Sequence, residues 1–285
     1  MHLVTFEKDG QVRLGAQVGD SILDLNSADP ELPLDMLLLL NARDSALWTV
    51  REVLAFPLDP ALLIANNEIR LLAPIPRPGK ILCIGYNYKG HTSAGSVDLP
   101  EFPNFFCKTS NTIVGHDHPI ILPRVSSQVD HEAELAVIIG KRCYDIAESD
   151  AMDYVAGYSI FNDVSARDYQ NRSNQWLLGK SFDTFGPLGP ALVTADEIPD
   201  PHNLNLELRL NGQARQHANT RDMIFSIPFM VSYLSQVMTL EPGDVIATGT
   251  PSKLPEVEKT QKFLKKGDVI EVAIEKLGVL RNTVQ

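Results

Sequence analysis

Two glutamates stand two positions apart, Glu132 and Glu134, in the run DHEAELAVIIG. The apolar residues after them, rich in β-branched side chains, have the character of a buried strand. On a strand, residues i and i+2 project to the same face. The pair therefore sets two carboxylates side by side at the mouth of a buried strand, where repulsion and desolvation both oppose ionisation. A divalent cation removes that conflict. A third carboxylate, Asp163, ends the next apolar run, GYSIFND. Three oxygen donors without histidine or thiolate suit a hard metal, Mg²⁺ with Mn²⁺ as a substitute. Mg²⁺ keeps positions open to water, and the carboxylate and keto oxygens of a 2-oxo acid can fill two of them. Taken alone, two glutamates at this spacing are more often a solvated strand edge, so the metal reading needs support from neighbouring segments.

Those segments are NDVSARDYQ (162–170) and GKSFDTFGPLGP (179–190), which carry the cations Arg167 and Lys180. Each has a plain structural reading: Lys180 as a surface lysine, Arg167 as an ion-pair partner, and Gln170, Ser181 and Thr184 as loop caps. Other motifs fail. Gly179-Lys180-Ser181 resembles the end of a P-loop, but the glycine required five positions earlier is Asn174. His131-Glu132 does not extend to HExxH, because position 135 is leucine, and Gly157 to Phe161 lacks the second glycine of a nucleophile elbow. His116 and His118 read as loop residues, His131 as a packing residue behind the glutamates, His217 as part of a hairpin strand and Trp176 as core or interface.

The elements that must position these groups are short. LVTFE and QVRLGAQV flank Asp9-Gly10 as a hairpin, and GDSILDL adds a strand. Residues 34–56, 149–156 and 226–238 have helical spacing, the last opening at Ser226 with Pro228 in its first turn. Pro74, Pro76 and Pro78 form a rigid linker, where a domain boundary is placed. Beyond it, ILCIG, ELAVIIG, GYSIFND and PALVT are strand-like, LNLELRLNGQARQ turns at Asn211-Gly212, and two last strands flank Leu277-Gly278. Many short strands and few helices predict a β-rich roll or barrel-like sandwich rather than a doubly wound parallel sheet.

The 285 residues are 44% hydrophobic and 21% charged, ordinary for a globular protein. A net charge of −11 (25 basic against 36 acidic residues) argues against nucleic acid or an anionic membrane as partner, though not against a small acidic substrate. Cys83, Cys107 and Cys143 form no CxxC pair, and an odd count points to reduced, buried thiols. The apolar run from Leu32 to Leu40 is interrupted by Pro33 and Asp35 and falls short of the ~20 residues of a membrane span. No export or organelle signal is legible in the first residues, which sets a cytoplasmic location as the expectation.

The runs DHEAELAVIIGK, GYSIFNDVSARDYQ, QWLLGKSFDTFGPLGPALVT, NTRDMIF and LEPGDVIATGTP, in this order over about residues 80–285, resemble the fumarylacetoacetate hydrolase superfamily in its shorter, domain-containing branch. The resemblance implies an α+β, β-rich fold: a mixed β-roll/β-sandwich catalytic domain of the fumarylacetoacetate hydrolase C-terminal type over residues 76–285, behind a small N-terminal α+β domain over residues 1–75. It implies a homodimer and one Mg²⁺ per active site. Matched by position, Glu132, Glu134 and Asp163 take the metal-ligand places and Lys180 that of the lysine beside the metal. Arg167 and Gln170 take substrate-contacting places, and Thr184 and Thr250 those of threonines that bond a substrate carboxylate. His91 matches the histidine of a His–Glu dyad that activates water, but its partner position is Ala94; Asp98 or Glu101 could substitute from the same loop. After TGTP the family's glycine-rich turn is replaced by SKLPEVEKTQKFL.

The function expected is an Mg²⁺-dependent enzyme forming a metal-bound enolate of a small 2-oxo or 1,3-diketo acid. Reprotonation gives tautomerisation, loss of CO2 gives decarboxylation, and attack of His91-activated water gives C–C hydrolysis. Ala94 shifts weight toward the first two, because an imidazole without a carboxylate loses its orienting group. The rival readings are a C–C hydrolase for a larger diketo metabolite and a non-catalytic metal-binding scaffold.

Overall fold

The computed structural model describes residues 1–89, 101–257 and 263–285. Its strands are β1 (His2–Lys8), β2 (Gln11–Val18), β3 (Ser21–Asp24), β4 (Leu63–Ala65), β5 (Arg70–Leu71), β6 (Ile81–Gly85), β7 (Asn104–Lys108), β8 (Ile113–Val114) and β9 (Val129–Asp130). They continue as β10 (Ala133–Ile139), β11 (Val155–Asn162), β12 (Ser165–Ala166), β13 (Gly186–Thr194), β14 (Asn205–Leu210), β15 (Gln213–Asn219), β16 (Val245–Ala247), β17 (Val269–Ile274) and β18 (Gly278–Thr283). The helices are α1 (Leu25–Ala28), α2 (Met36–Asn41), α3 (Arg43–Ala55), α4 (Arg167–Gln170), α5 (Leu177–Lys180) and α6 (Ile227–Val237).

Two connections show how local sequence sets register. Asp9 and Gly10 take φ of 52° and 76°, and Asn211 and Gly212 take 52° and 78°. Positive φ at both central residues is the type I′ turn, whose twist matches that of the strands it joins. Lys8 then pairs with Gln11 and Leu210 with Gln213.

Among the described residues, twelve strands form one sheet, in the order β4-β3-β2-β1-β13-β11-β10-β16-β6-β7 with β5 on β1 and β8 on β13. A four-stranded sheet runs β15-β14-β17-β18, and β12 pairs with β9. The large sheet is mixed: β16 lies parallel to β6 while its central pairs are antiparallel. Along β10, Leu135, Val137 and Ile139 enter the core shared with the four-stranded sheet and α6. Ala136 and Ile138 enter a second core shared with the N-terminal segment. A sheet covered on both faces needs apolar residues at every position, which is why ELAVIIG is a continuous run. The fold is the β-rich α+β class expected.

The boundary expected at residue 75 falls among the prolines, but the strands on either side of it share one sheet and one core. His2 and Leu3 pair with Val193 and Leu192, and the Thr5 hydroxyl donates to the Pro74 carbonyl at 2.9 Å. Other expectations shift. The helical stretch 34–56 is two helices, the first capped by the Asp35 carboxylate accepting from Leu38 N–H at 2.8 Å. Residues 148–154 form 3₁₀ turns. Ser226 caps α6 with Pro228 in the first turn, as read. All three cysteines are free; Cys83 and Cys143 are buried, whereas Cys107 is exposed on β7, the last strand of the large sheet.

Candidate active site

Antiparallel pairing of β10 with β11 sets Ala133 opposite Asn162 and Glu134 opposite Phe161. Glu132 and Asp163, one residue beyond each strand, therefore meet. Asp163 N–H donates to the Glu132 carbonyl at 2.9 Å, and Glu132 N–H donates to Asn162 Oδ1 at 3.1 Å. The carboxylates of Glu132, Glu134 and Asp163 each offer an oxygen within 4.8 Å of the others, and all three residues are buried. Glu134 Oε2 accepts from Gly249 N–H at 2.8 Å. Gly249 holds φ of +92°, and a Cβ there would lie 2.8 Å from Asn87 Cβ, so only glycine brings that amide to the carboxylate without strain.

Three cations contact the trio, and a fourth stands one carboxylate away. Lys180, at the end of α5, places Nζ 2.7 Å from Glu132 Oε2 and 2.5 Å from Asp163 Oδ2. Its approach depends on Gly179, where a Cβ would sit 2.4 Å from the Gln170 backbone nitrogen on α4. Lys108, at the end of β7, contacts Asp163 Oδ1 at 2.6 Å and donates to the Val164 carbonyl at 3.0 Å. Arg167 meets Glu132 Oε1 through Nη1 at 2.6 Å and Asp130 Oδ2 through Nη2 at 2.9 Å. Lys253 meets the other oxygen of Asp130.

These charges split the trio. Burial would push the Glu132 carboxyl up, but Arg167 and Lys180 outweigh it and hold it far below the ordinary range. Glu134 is forced well above that range by burial, then by Asp163 and Glu132. Burial opposes charge on Lys180, yet Asp163 and Glu132 hold it firmly as an ammonium. Burial lowers Lys108, partly countered by Asp163. Three buried oxygen donors, one of them starved of positive charge, fit a hard dication: it would let Glu134 ionise and satisfy oxygens that the lysines share unevenly.

Glu132 and Glu134 open on a cavity of about 240 Å³, with Asp163 buried behind them. Glu132, Glu134, Arg167, Gln170, Asn171, Lys180 and Thr250 form its polar side, and Ile84, Tyr86, Phe106 and Trp176 its apolar side. Thr250 Oγ1 accepts from Gln216 Nε2 at 2.8 Å, which leaves its own proton for another acceptor. Gln170 Oε1 accepts from Arg167 Nη1 at 2.9 Å, leaving its amide hydrogens free to face the cavity. Thr184 does not line this cavity; its hydroxyl accepts from Ile121 N–H at 2.8 Å. His91, Ala94 and Asp98 lie outside the described residues. Glu101 is exposed. His131 is buried, and burial lowers its pKa to about 4.

Trp176 lines the cavity, packed edge-on against Tyr86 at 5.5 Å and Phe106 at 5.2 Å between centroids. Lys108 and Asp130 are residues that sequence reasoning passed over. Lys108 closes the run NFFCK, where a lysine is indistinguishable from a surface residue until β7 is paired with β6. Asp130 was legible only as a neighbour of the glutamates.

The family described as fumarylacetoacetate (FAA) hydrolase C-terminal matches residues 80–285. The chain is 45% identical over 289 residues to the oxaloacetate tautomerase Fahd2a, mitochondrial, of Rattus norvegicus, covering 100% of this chain and 91% of that protein. It is 44% identical over 290 residues to the oxaloacetate tautomerase FAHD2A, mitochondrial, of Homo sapiens, with the same coverage of 100% and 91%. Among solved structures, maleylpyruvate hydrolase from Sphingobium sp. SYK-6 in complex with manganese (II) ion and pyruvate is 34% identical, with a TM-score of 0.82 over 100% of this chain and 98% of that one. Fumarylacetoacetate hydrolase from Exiguobacterium antarcticum is likewise 34% identical, with a TM-score of 0.84 over 100% and 99%. The mitochondrial relatives overturn the expectation of a cytoplasmic location. That expectation rested on finding no leader in the first residues, and charge and thiol count do not separate one reducing compartment from another.

Proposed function

Because this chain is an enzyme of the fumarylacetoacetate hydrolase family, we propose that it interconverts the enol and keto forms of oxaloacetate or a close 2-oxo dicarboxylate, using Mg²⁺, or Mn²⁺ in its place, held by Glu132, Glu134 and Asp163. The observation that carries this reading is a cluster of three buried carboxylates, two of which line a cavity whose other polar walls are an ammonium, a guanidinium, a hydroxyl and two amides. When bound, the ion would draw electron density from the 2-oxo group and hold negative charge on its oxygen. Arg167 and Thr250 grip a substrate carboxylate, with the Gln170 amide beside them. Lys180, kept as an ammonium by Glu132 and Asp163, gives a proton to C3 of the enol; the resulting amine then takes the enol hydroxyl proton, which leaves the ketone and restores the ammonium. One residue thus moves both protons, and no water nucleophile is needed. Tyr86, Phe106 and Trp176 supply apolar wall beside these groups. A homodimer is the assembly proposed.

The test is loss of oxaloacetate enol absorbance after transfer into aqueous buffer, with CO2 and pyruvate measured separately. Mg²⁺-dependent acceleration without either product is expected, abolished in Glu132→Ala. Undiminished turnover in metal-free buffer overturns the proposal. The likeness to maleylpyruvate hydrolase favours C–C hydrolysis as the second reading, and carboxylate products from an acylpyruvate would put it first.

A further inference from the structure

Asp130 is a buried carboxylate that touches no ligand-facing surface of the cavity, yet it holds two cations at once. Arg167 donates to its Oδ2 from Nε at 3.0 Å and from Nη2 at 2.9 Å. Lys253 Nζ lies 2.5 Å from its Oδ1, which also accepts the His131 N–H at 2.9 Å. Every oxygen of this carboxylate is occupied, and the guanidinium is gripped on one edge. Its opposite nitrogen, Nη1, is left directed at Glu132 and Gln170, in the wall of the cavity.

Lys253 arrives by a route that fixes it. It lies in the segment where the chain departs from the family's glycine-rich turn. Leu254 N–H donates to the Arg215 carbonyl on β15 at 2.8 Å, and the Pro251 carbonyl accepts from Gln216 Nε2 at 2.6 Å. Both bonds flank Lys253 and pin the loop to the four-stranded sheet. Asp130 is placed from the other side by β9, whose partner β12 runs directly into Arg167.

Arg167 faces two carboxylates, Asp130 and Glu132, so with Arg167 alone the group would carry one surplus negative charge beside the cavity. Lys253 on Asp130 cancels that surplus. A substrate with a single carboxylate gains little from the cancellation, because the carboxylate next to its keto group lies by the trio and not by Arg167. A substrate with a second carboxylate beside Arg167 escapes the repulsion.

We propose that Lys253 is a positioning residue that, through Asp130, keeps Arg167 oriented and its surroundings free of surplus negative charge, and so selects dianionic 2-oxo dicarboxylates over 2-oxo monocarboxylates. This rests on the cavity being a 2-oxo acid site, as proposed above, but not on the reaction run there. The probes are 2-oxoglutarate and 2-oxopentanoate, which have the same chain length and differ only at the distal carboxylate. Binding to the Mg²⁺-loaded protein is followed by fluorescence of Trp176, a cavity wall residue. The wild type should prefer the dicarboxylate. Lys253→Met should weaken 2-oxoglutarate about tenfold and leave 2-oxopentanoate within about twofold, and Lys253→Arg should keep the preference. Lys253 is partly exposed, and an unchanged unfolding midpoint confirms that the variants fold. Equal weakening of both probes, no change, or no preference in the wild type overturns the proposal. A wild type that prefers the dicarboxylate through Lys253 but does not tautomerise oxaloacetate leaves this inference standing and removes the proposed reaction.

Discussion

Lys108→Met tests whether charge balance in the site is what the geometry implies. The substitution keeps the length of the side chain and removes its charge. Lys108 Nζ lies 2.6 Å from Asp163 Oδ1 with both side chains fully buried. Removing one partner of a buried pair costs about 3–5 kcal/mol, because the other charge is left desolvated. Asp163 keeps Lys180 at 2.5 Å, so the lower end, about 3 kcal/mol, applies. For a protein of 285 residues that is a fall of about 5 °C in the unfolding midpoint in EDTA. A dication among the three carboxylates would supply part of the missing charge. The Val164 carbonyl loses its donor in either state, so about half of the deficit should remain with Mg²⁺. By linkage, the variant then binds the ion roughly tenfold more tightly than the wild type while being the less stable protein. Thermal unfolding with and without Mg²⁺, together with calorimetric titration of the ion, measures both quantities. Equal losses in EDTA and Mg²⁺, or weaker ion binding by the variant, would refute the reasoning.

Three further outcomes follow from the same geometry. Lys180→Met should lower kcat by about 10²–10⁴ with a smaller effect on KM, because the proton-moving group is lost while Arg167 and Thr250 still hold substrate; steady-state kinetics on the enol measure the split. Gly249→Ala forces a Cβ to within 2.8 Å of Asn87 Cβ at φ of +92°, which should cost about 1–3 kcal/mol in urea unfolding and weaken Mg²⁺ binding as the amide leaves Glu134. Burial lowers the His131 pKa from 6.5 to about 4, so the folded protein holds this imidazole neutral where the unfolded chain protonates it. That stability is complete above about pH 6.5 and is lost as the pH falls toward 4, by roughly 3 kcal/mol in EDTA-treated protein. Urea midpoints between about pH 7.5 and 4.5 should show the slope, and His131→Gln should flatten it.

What the sequence made legible was local. Asp9-Gly10 and Asn211-Gly212 announce their turns because few other residue pairs accept two positive φ values. Glu132 and Glu134 announce a shared face because strand geometry has a period of two. The role of Lys108 was not legible, since its contact with Asp163 spans 55 residues and depends on the crossing from β7 to the end of β11. That Trp176 lines the cavity was not legible for a related reason: a tryptophan before a helix has the same spacing whether it faces a core, a partner or a cavity. The even helical spacing of residues 34–56 hid the break after Asn41, and the linker prolines suggested a separation that pairing of β1 with β13 bridges. Thr184 matched a motif by position, yet its hydroxyl serves the Ile121 amide; a motif match fixes where a residue sits in the chain, not which neighbour takes its hydrogen bond.

The most direct measurement is a titration of EDTA-stripped protein with Mn²⁺, counting free ion by its electron paramagnetic resonance signal. One tightly held ion per chain is expected in the wild type, competed by Mg²⁺ and lost in Glu134→Ala and in Asp163→Ala variants that remain folded. Unchanged stoichiometry and affinity in those variants would contradict the carboxylate trio as the seat of the metal.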